Sequence, residues 1–390
     1  MAPAEAAAGA EEPSRRSRVA LSVPARQAMA VVTPAFLTSK VIGLLVPLHF
    51  TWARSGTPGL PTAAELRGAF LRWDSPHYAD IATSGYATSL DFHDAFLPGY
   101  PLLLKAATAL IPDVVLAGLA VSAIFEFIAL YYFALLVRGE RDLDAARFCV
   151  WCLAVSPFAF FLTALYTEGP FIAGAAASLY HARRGDTLRA SLSATFACAM
   201  RVTGLALVPA VLIEHLWRRK ALSDVSLLAV LLVPLPLIAF ALYMQAHVGD
   251  ALAYVHAQAS PSFGTYAAWP WVGAALAFQV LASKSPASLT YIFGGGLVTG
   301  VLGALVCAAA LAYRRFPKSF AVYVTLVWLT ATALPFWRSV QRYELGMFPA
   351  LLMLADLTRR HPSWRSGIIV CSSGFMAVGA AIYAAGWWLG

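Results

Sequence analysis

The sequence predicts an all-α, polytopic membrane protein of about eleven transmembrane helices. Three observations lead there. Of the 390 residues, 60% are hydrophobic and only 12% charged, where a soluble domain carries about 25% charged residues to face water. The mean hydropathy is +0.69, and apolar runs of spanning length recur along the chain; eleven spans of roughly 20 residues would use about 220 positions and leave the rest for loops. Lys and Arg fall in short clusters between those runs, as in cytoplasmic loops under the positive-inside rule. The net charge of +8 is therefore a topology signal, and nucleic acid is not an expected partner.

Residues 1–27 are rich in Ala, Glu and Pro and are expected to be a disordered cytoplasmic N-terminus. The remaining 28–390 form the membrane domain. The run 28–50 is too long for a cleaved signal core and reads as a retained first helix, with Arg15, Arg16, Arg18 and Arg26 inside. Further spans are expected near 113–137, 144–164, 168–182, 187–201, 203–217, 222–246, 288–313, 319–337, 343–358 and 366–388, with 187–201 and 203–217 short enough to be a re-entrant pair. The segment 96–111 is apolar but is read as a juxtamembrane helix lying at the interface. That choice keeps Arg138, Arg141 and Arg147 inside, together with the clusters Arg183/Arg184/Arg189, Arg218/Arg219/Lys220, Arg314/Arg315/Lys318 and Arg359/Arg360/Arg365. The five cysteines all lie in apolar segments, and Cys149-x-x-Cys152 has no His or second pair to make a zinc site.

Two outward loops, about 51–112 and 247–287, exceed the roughly 15 residues beyond which a loop tends to be functional or disordered. The first, RWDSPHYADIATSGYATSLDFHDAFLPGYP, gathers Trp73, Asp74, His77, Tyr78, Asp80, Asp91, His93 and Asp94 beside the membrane. Charged groups near hydrocarbon are costly and usually functional; the bland alternative is a solvated loop kept soluble by its acids. Asp91-x-His93-Asp94 offers hard ligands to a divalent metal, or else a cap for the helix that follows. No cofactor is required by the sequence. In SPFAFFLTALYTEGPF, Tyr166 and Glu168 stand at the outer start of a helix whose first turn holds Pro170, so Glu168 can serve as a helix-start carboxylate and as a site acid together. Arg201, Arg338 and Arg342, with Tyr343 beside the last, lie outward in apolar surroundings and break the charge rule. A carboxylate bridge explains one of them, and a lipid phosphate, which the guanidinium fork matches, explains Arg201 and Arg342. In the second loop His256 and Gln258 are the polar residues offered for a pocket wall, while Trp269 and Trp271 fit an interfacial belt.

Taken in order, WD-x-x-x-Y with a following GY, F-x-P-x-Y-P, P-F-x-F-F-x-x-A-x-Y-T-E, R-x-T-G-L and a late R-Y before F-P resemble the PIG-V family of GPI mannosyltransferase 2 enzymes and their bacterial relatives. The resemblance runs over roughly residues 28–358 and departs from the common pattern at FLPGYP and QRYELG. It implies a GT-C glycosyltransferase, a helical membrane bundle whose active site faces outward and whose donor is a polyprenyl- or dolichyl-phosphate mannose. It implies Asp74 as the catalytic carboxylate of the first outward loop and Glu168 as a second acid, at the outward turn that opens the 168–182 helix. Substrate contacts are then expected from Trp73, His77, Tyr78, Asp91, His93, Tyr166, Arg201, His256, Gln258, Arg338, Arg342 and Tyr343. The expected partners are the lipid-phosphate sugar donor, a glycolipid or protein acceptor, membrane lipids and, as in some members of the class, a second membrane subunit. The Ala-rich, Arg-over-Lys composition without an endoplasmic-reticulum retrieval tail favours a bacterial cytoplasmic membrane. The rival reading is a transporter or flippase for a lipid-linked or anionic solute, but no internal repeat is visible and the polar residues collect at one face, whereas transporters place polar breaks near the midplane.

Overall fold

Inside a bilayer every backbone amide must find its partner within the protein, and among the described residues the chain meets that demand with helices alone. The computed structural model describes residues 25–56, 59–218, 224–283 and 287–388. The expected disordered stretch lies almost wholly outside the described residues, as do Arg15, Arg16, Arg18, Arg219 and Lys220.

The first rod joins α1 (Ala25–Lys40) through a π-helical turn, Val41–Leu45, to α2 (Val46–Ser55). Next come α3 (Ala63–Phe70), α4 (Asp74–Ser84), a 3-10 turn at Phe92–Ala95 and α5 (Gly99–Thr108). The expected juxtamembrane helix is α5: ten residues rise only about 15 Å, half of a bilayer core. It packs on α4, α9 and α6, with Tyr100 and Leu104 fully buried and Leu102 exposed. α6 (Val114–Glu140) is a long rod, and α7 (Leu143–Ala154) follows it until Ser156–Pro157 breaks the helix into a 3-10 turn, Ala159–Leu162. Then follow α8 (Glu168–Arg183), α9 (Thr187–Met200) and α10 (Leu207–Trp217). A 3-10 segment, Val225–Leu232, meets α11 (Leu235–His247) at a 43° bend, where Pro234 and Pro236 interrupt the helical ladder. Beyond the short α12 (Ala253–Ala259) lie α13 (Pro270–Ala282), α14 (Ala287–Ala312), α15 (Lys318–Thr332), the single turn α16 (Val340–Tyr343), a 3-10 stretch Glu344–Ala350, α17 (Leu351–Leu357) and α18 (Pro362–Ala384).

Four described helices are long and apolar enough to cross a membrane, namely Arg26–Ser55, Val114–Glu140, Ile292–Ala312 and Pro362–Ala384; the bent pair makes a fifth if it is one span. The chain is an integral membrane protein. The other segments expected as spans are present as shorter or interrupted helices. The causes can be read locally: Pro157 in one, Pro349 in another, and the turn at Arg201–Ala206 between α9 and α10.

The bundle centres on α8, buried along nearly its whole length between α6 and α9. Its inner end is clamped by ion pairs. Arg183 holds Glu140 at 2.6 Å and Glu214 at 2.9 Å, and Arg141 holds Asp356 at 2.7 Å. Arg365 pairs with Asp144. At 16 residues α8 is about 24 Å long, so its outer end, Glu168, lies well clear of this clamp. Inside the bundle Lys40 meets Glu126 at 2.5 Å and donates to the Leu162 carbonyl at 3.2 Å and to Thr163 Oγ1 at 3.0 Å. The bond to Leu162, with Ser122 Oγ donating to the Ala164 carbonyl at 2.6 Å, serves backbone carbonyls at the break after α7.

Candidate active site

One end of the bundle gathers two carboxylates and two guanidiniums from four separate segments. Asp74 opens α4. The residue before it, Trp73, has φ 57 and ψ −104, the single non-glycine residue with positive φ among those described; such a conformation costs on the order of 1–3 kcal/mol and persists where its surroundings impose it. Here the surroundings are visible. Tyr166 Oη donates to the Arg72 carbonyl at 3.1 Å and accepts from the Asp74 amide at 3.3 Å. The Tyr383 hydroxyl, from α18, donates to the Phe70 carbonyl at 3.1 Å and lies 3.2 Å from Ser75 Oγ, and the Trp73 ring stands edge-on to Trp388 at 4.8 Å. The bend turns the Asp74 carboxylate toward Arg342, whose Nη1 donates to Oδ2 at 2.6 Å.

Glu168, at the first turn of α8, is the second carboxylate and is almost completely buried. Its Oε1 receives Arg201 and lies 3.2 Å from Arg342 Nε; its Oε2 has no hydrogen-bond partner among the described residues. Arg201, at the break after α9, also donates to Thr167 Oγ1 at 3.1 Å and stacks 4.3 Å from the Tyr343 ring. Gly99 shapes this corner: a Cβ there would come within 2.2 Å of the Ala199 carbonyl oxygen, so only glycine lets α5 lie against α9 just before Arg201. Arg342 is buried over the faces of Tyr166 and Tyr343. Burial opposes its charge, but Asp74 and Glu168 outweigh that and hold its pKa well above the ordinary arginine value. An acid, an arginine, an acid and an arginine thus alternate in one cluster, with aromatic rings excluding water.

The other expected residues sort by contact. Tyr78 packs against Tyr100, Phe96 and Tyr166 beneath Asp74. His77 and His93 lie on the rim with their rings 5.4 Å apart; burial first, and then His93, push the His77 pKa below the usual imidazole value. Asp91 and Asp94 cap the turn Phe92–Ala95, Asp91 Oδ1 accepting the His93 amide at 2.7 Å and Asp94 Oδ2 the Asp91 amide at 3.0 Å. They cap their own 3-10 turn and not α5. Gln258 donates to the Ala95 carbonyl at 2.9 Å and so ties the second outward loop to the first. His256 is exposed and sits 2.6 Å from Asp250. Arg338 donates to the Phe263 carbonyl and stacks on Phe336. Tyr383 and Trp388, which support the Trp73 bend, were not among the expected site residues. Neither has a local signal, because their partners lie some three hundred positions away in sequence.

A helical bundle with this end is similar to solved membrane glycosyltransferases. ArnT from Cupriavidus metallidurans, in a structure bound to undecaprenyl phosphate, superposes with a TM-score of 0.52 at 13% identity over 93% of this chain and 76% of that one. The Archaeoglobus fulgidus oligosaccharyltransferase, in a complex with Zn and sulfate, does so with a TM-score of 0.50 at 13% identity over 92% of this chain; the chain spans about half, 53%, of that enzyme's length. The fold is thus that of the GT-C class of glycosyltransferases. No curated protein matches the sequence. The family description Mannosyltransferase (PIG-V) matches residues 61–263, just over half of the chain, and the chain belongs to that family.

Proposed function

We propose that this protein is an inverting mannosyltransferase that moves mannose from a polyprenyl-phosphate donor to an acceptor hydroxyl on the non-cytoplasmic face of a bacterial membrane. The observation that carries this reading is the buried Asp74–Arg342–Glu168–Arg201 cluster at one end of the bundle. The acceptor oxygen attacks the anomeric carbon from the face opposite the phosphate. As that bond forms, the bond from the anomeric carbon to the phosphate oxygen breaks, the lipid phosphate leaves with the electron pair, and the hydroxyl proton passes to the Asp74 carboxylate. A positioned base of this kind contributes about 10²- to 10⁴-fold. Arg342 and Arg201 hold the departing phosphate and stabilise its growing charge, which is worth more in a shielded pocket than at an open surface. Glu168 keeps both guanidiniums in register. Trp73, Tyr78 and Tyr343 supply the aromatic walls for sugar and lipid, with His256 and Gln258 on the second loop, and Arg338 between α15 and α16, as acceptor contacts. The undecaprenyl phosphate bound in the similar ArnT structure is the chemistry these arginines suit. The acceptor is a glycolipid or a protein, and a second membrane subunit can complete its site.

The test is transfer from radiolabelled polyprenyl-phosphate mannose in membranes holding equal amounts of wild type and Asp74→Asn. We expect a labelled product from the wild type and a loss of about 10²-fold or more in the variant. A fully active Asp74→Asn would remove Asp74 as the base and move that role to Glu168. A wild type that binds the donor and transfers nothing would favour a lipid-linked sugar flippase instead.

A further inference from the structure

On the rim beside the catalytic pair, one ligand atom from each of His77, Asp80 and His93 lies within 4.8 Å of the other two. His77 and Asp80 stand one turn apart on α4, which begins at Asp74, so the three share a face at i, i+3 and i+6. His93 comes to them from the 3-10 turn Phe92–Ala95. The two histidines are held and the carboxylate is free to move. His77 packs its ring against Phe92 at 4.5 Å and Phe96 at 5.2 Å, and its Nδ1 is buried without a hydrogen-bond partner. His93 Nδ1 rests 3.4 Å from Asp91 Oδ2, which leaves its Nε2, also without a hydrogen bond, facing Asp80 Oδ2 at 3.9 Å. The Asp80 side chain is 64% exposed.

We propose that His77, Asp80 and His93 form a divalent transition-metal site, of the zinc class, on the outward face. Two imidazoles and one carboxylate are the donor set of a zinc site that keeps a fourth position open, and imidazole donors select zinc-like ions over magnesium or calcium. Tetrahedral bonds of 2.0–2.2 Å place ligand atoms about 3.4 Å apart, so a small rotation of Asp80 closes the set. Asp91 orients His93 through the ring nitrogen that does not bind the ion, the arrangement by which carboxylates fix metal-binding histidines. The expected Asp91-x-His93-Asp94 ligand set is thereby replaced: only His93 of the three binds, Asp91 supports it, and Asp94 caps the turn. The ion would lie beside the mouth of the Asp74–Arg342 cluster, its open position available to water or to a substrate oxygen.

The test reads metal and not sugar transfer, so it stands apart from the glycosyltransferase reading. Full-length protein in detergent is stripped with a chelator, titrated with zinc against a chromophoric competitor, and then loaded with cobalt for its visible absorption. We expect one zinc per chain and a tetrahedral cobalt spectrum. Asp91→Ala should weaken zinc roughly 10- to 100-fold, and His93→Ala or Asp80→Asn should weaken it at least as much and abolish the cobalt spectrum. Asp80 is exposed, so Asp80→Asn should keep the wild-type melting temperature and report on binding alone, while His256→Ala should bind zinc as the wild type does. The proposal is overturned if folded wild type retains no zinc, or if Asp80→Asn and His93→Ala bind it unchanged.

Discussion

Arg342 serves two carboxylates from one buried guanidinium, Asp74 through Nη1 and Glu168 through Nε. That geometry suits the planar fork, which presents separate nitrogens to the two carboxylates, whereas a lysine ammonium carries the same charge on one compact nitrogen. Arg342→Lys should therefore keep the fold and lower transfer by about tenfold or more, measured as turnover on protein matched by melting temperature; an unchanged turnover would mean that charge alone suffices there. The same residue shows what sequence can signal. An outward arginine in apolar context asks for a compensating anion, and two were found. Which anions they would be was not legible, since Asp74, Glu168, Arg201 and Arg342 come from four segments that only the folded bundle brings together. Trp73 is the opposite case: nothing in the string WDSPHY announces a left-handed backbone at the tryptophan, because that conformation is imposed by Tyr166, Tyr383 and Trp388.

At the scale of elements, the break after α7 is the costly feature, for it leaves carbonyls inside the bundle that no helix satisfies. Lys40 answers for two of the acceptors there and carries its own counter-charge, Glu126. Lys40→Met should destabilise the protein by about 3–5 kcal/mol because Glu126 is left buried and unpaired. The double variant Lys40→Met/Glu126→Leu should regain much of that loss, which thermal unfolding in detergent would read; a single variant as stable as the wild type would show that water reaches Glu126. On the outward face a different pair ties α3 to α6. The Arg67 guanidinium, 2.8 Å from Asp113, and the Leu116 amide hold the Asp113 carboxyl below its ordinary value of about 3.8. A lowered carboxylate pKa contributes stability above the unfolded value and loses it as pH falls through the folded one. Unfolding temperatures should therefore begin to drop as the solution passes below about pH 3.8, and Asp113→Asn should remove that part of the slope. Both residues are partly exposed, so the effect is small.

Across the whole molecule one end is pinned by arginine–carboxylate pairs while the opposite end carries the Asp74–Arg342–Glu168–Arg201 cluster, and α8 joins the two. The proposed orientation puts Ser84, exposed at the end of α4, on the outward side and Arg360, exposed after α17, on the cytoplasmic side. In intact cells an impermeant thiol reagent should label Ser84→Cys but not Arg360→Cys, in a background lacking the exposed native Cys371; the reverse pattern would invert the orientation and the proposed site with it. The sequence by itself determined the class of molecule, an all-helical integral membrane protein of a glycosyltransferase family. Composition, apolar run length and the placement of basic clusters are local properties, and the bilayer reads them one segment at a time. It also carried the motifs of the family over much of the chain. The tertiary structure alone decided how many of those segments stay continuous, with prolines and the Arg201 turn splitting several that looked like whole spans. It alone decided which polar residues meet: Glu168 with two arginines, Gln258 with the first loop, His77 and Asp80 with His93. Such contacts depend on distances between segments remote in sequence, and packing sets those distances where periodicity carries no record of them.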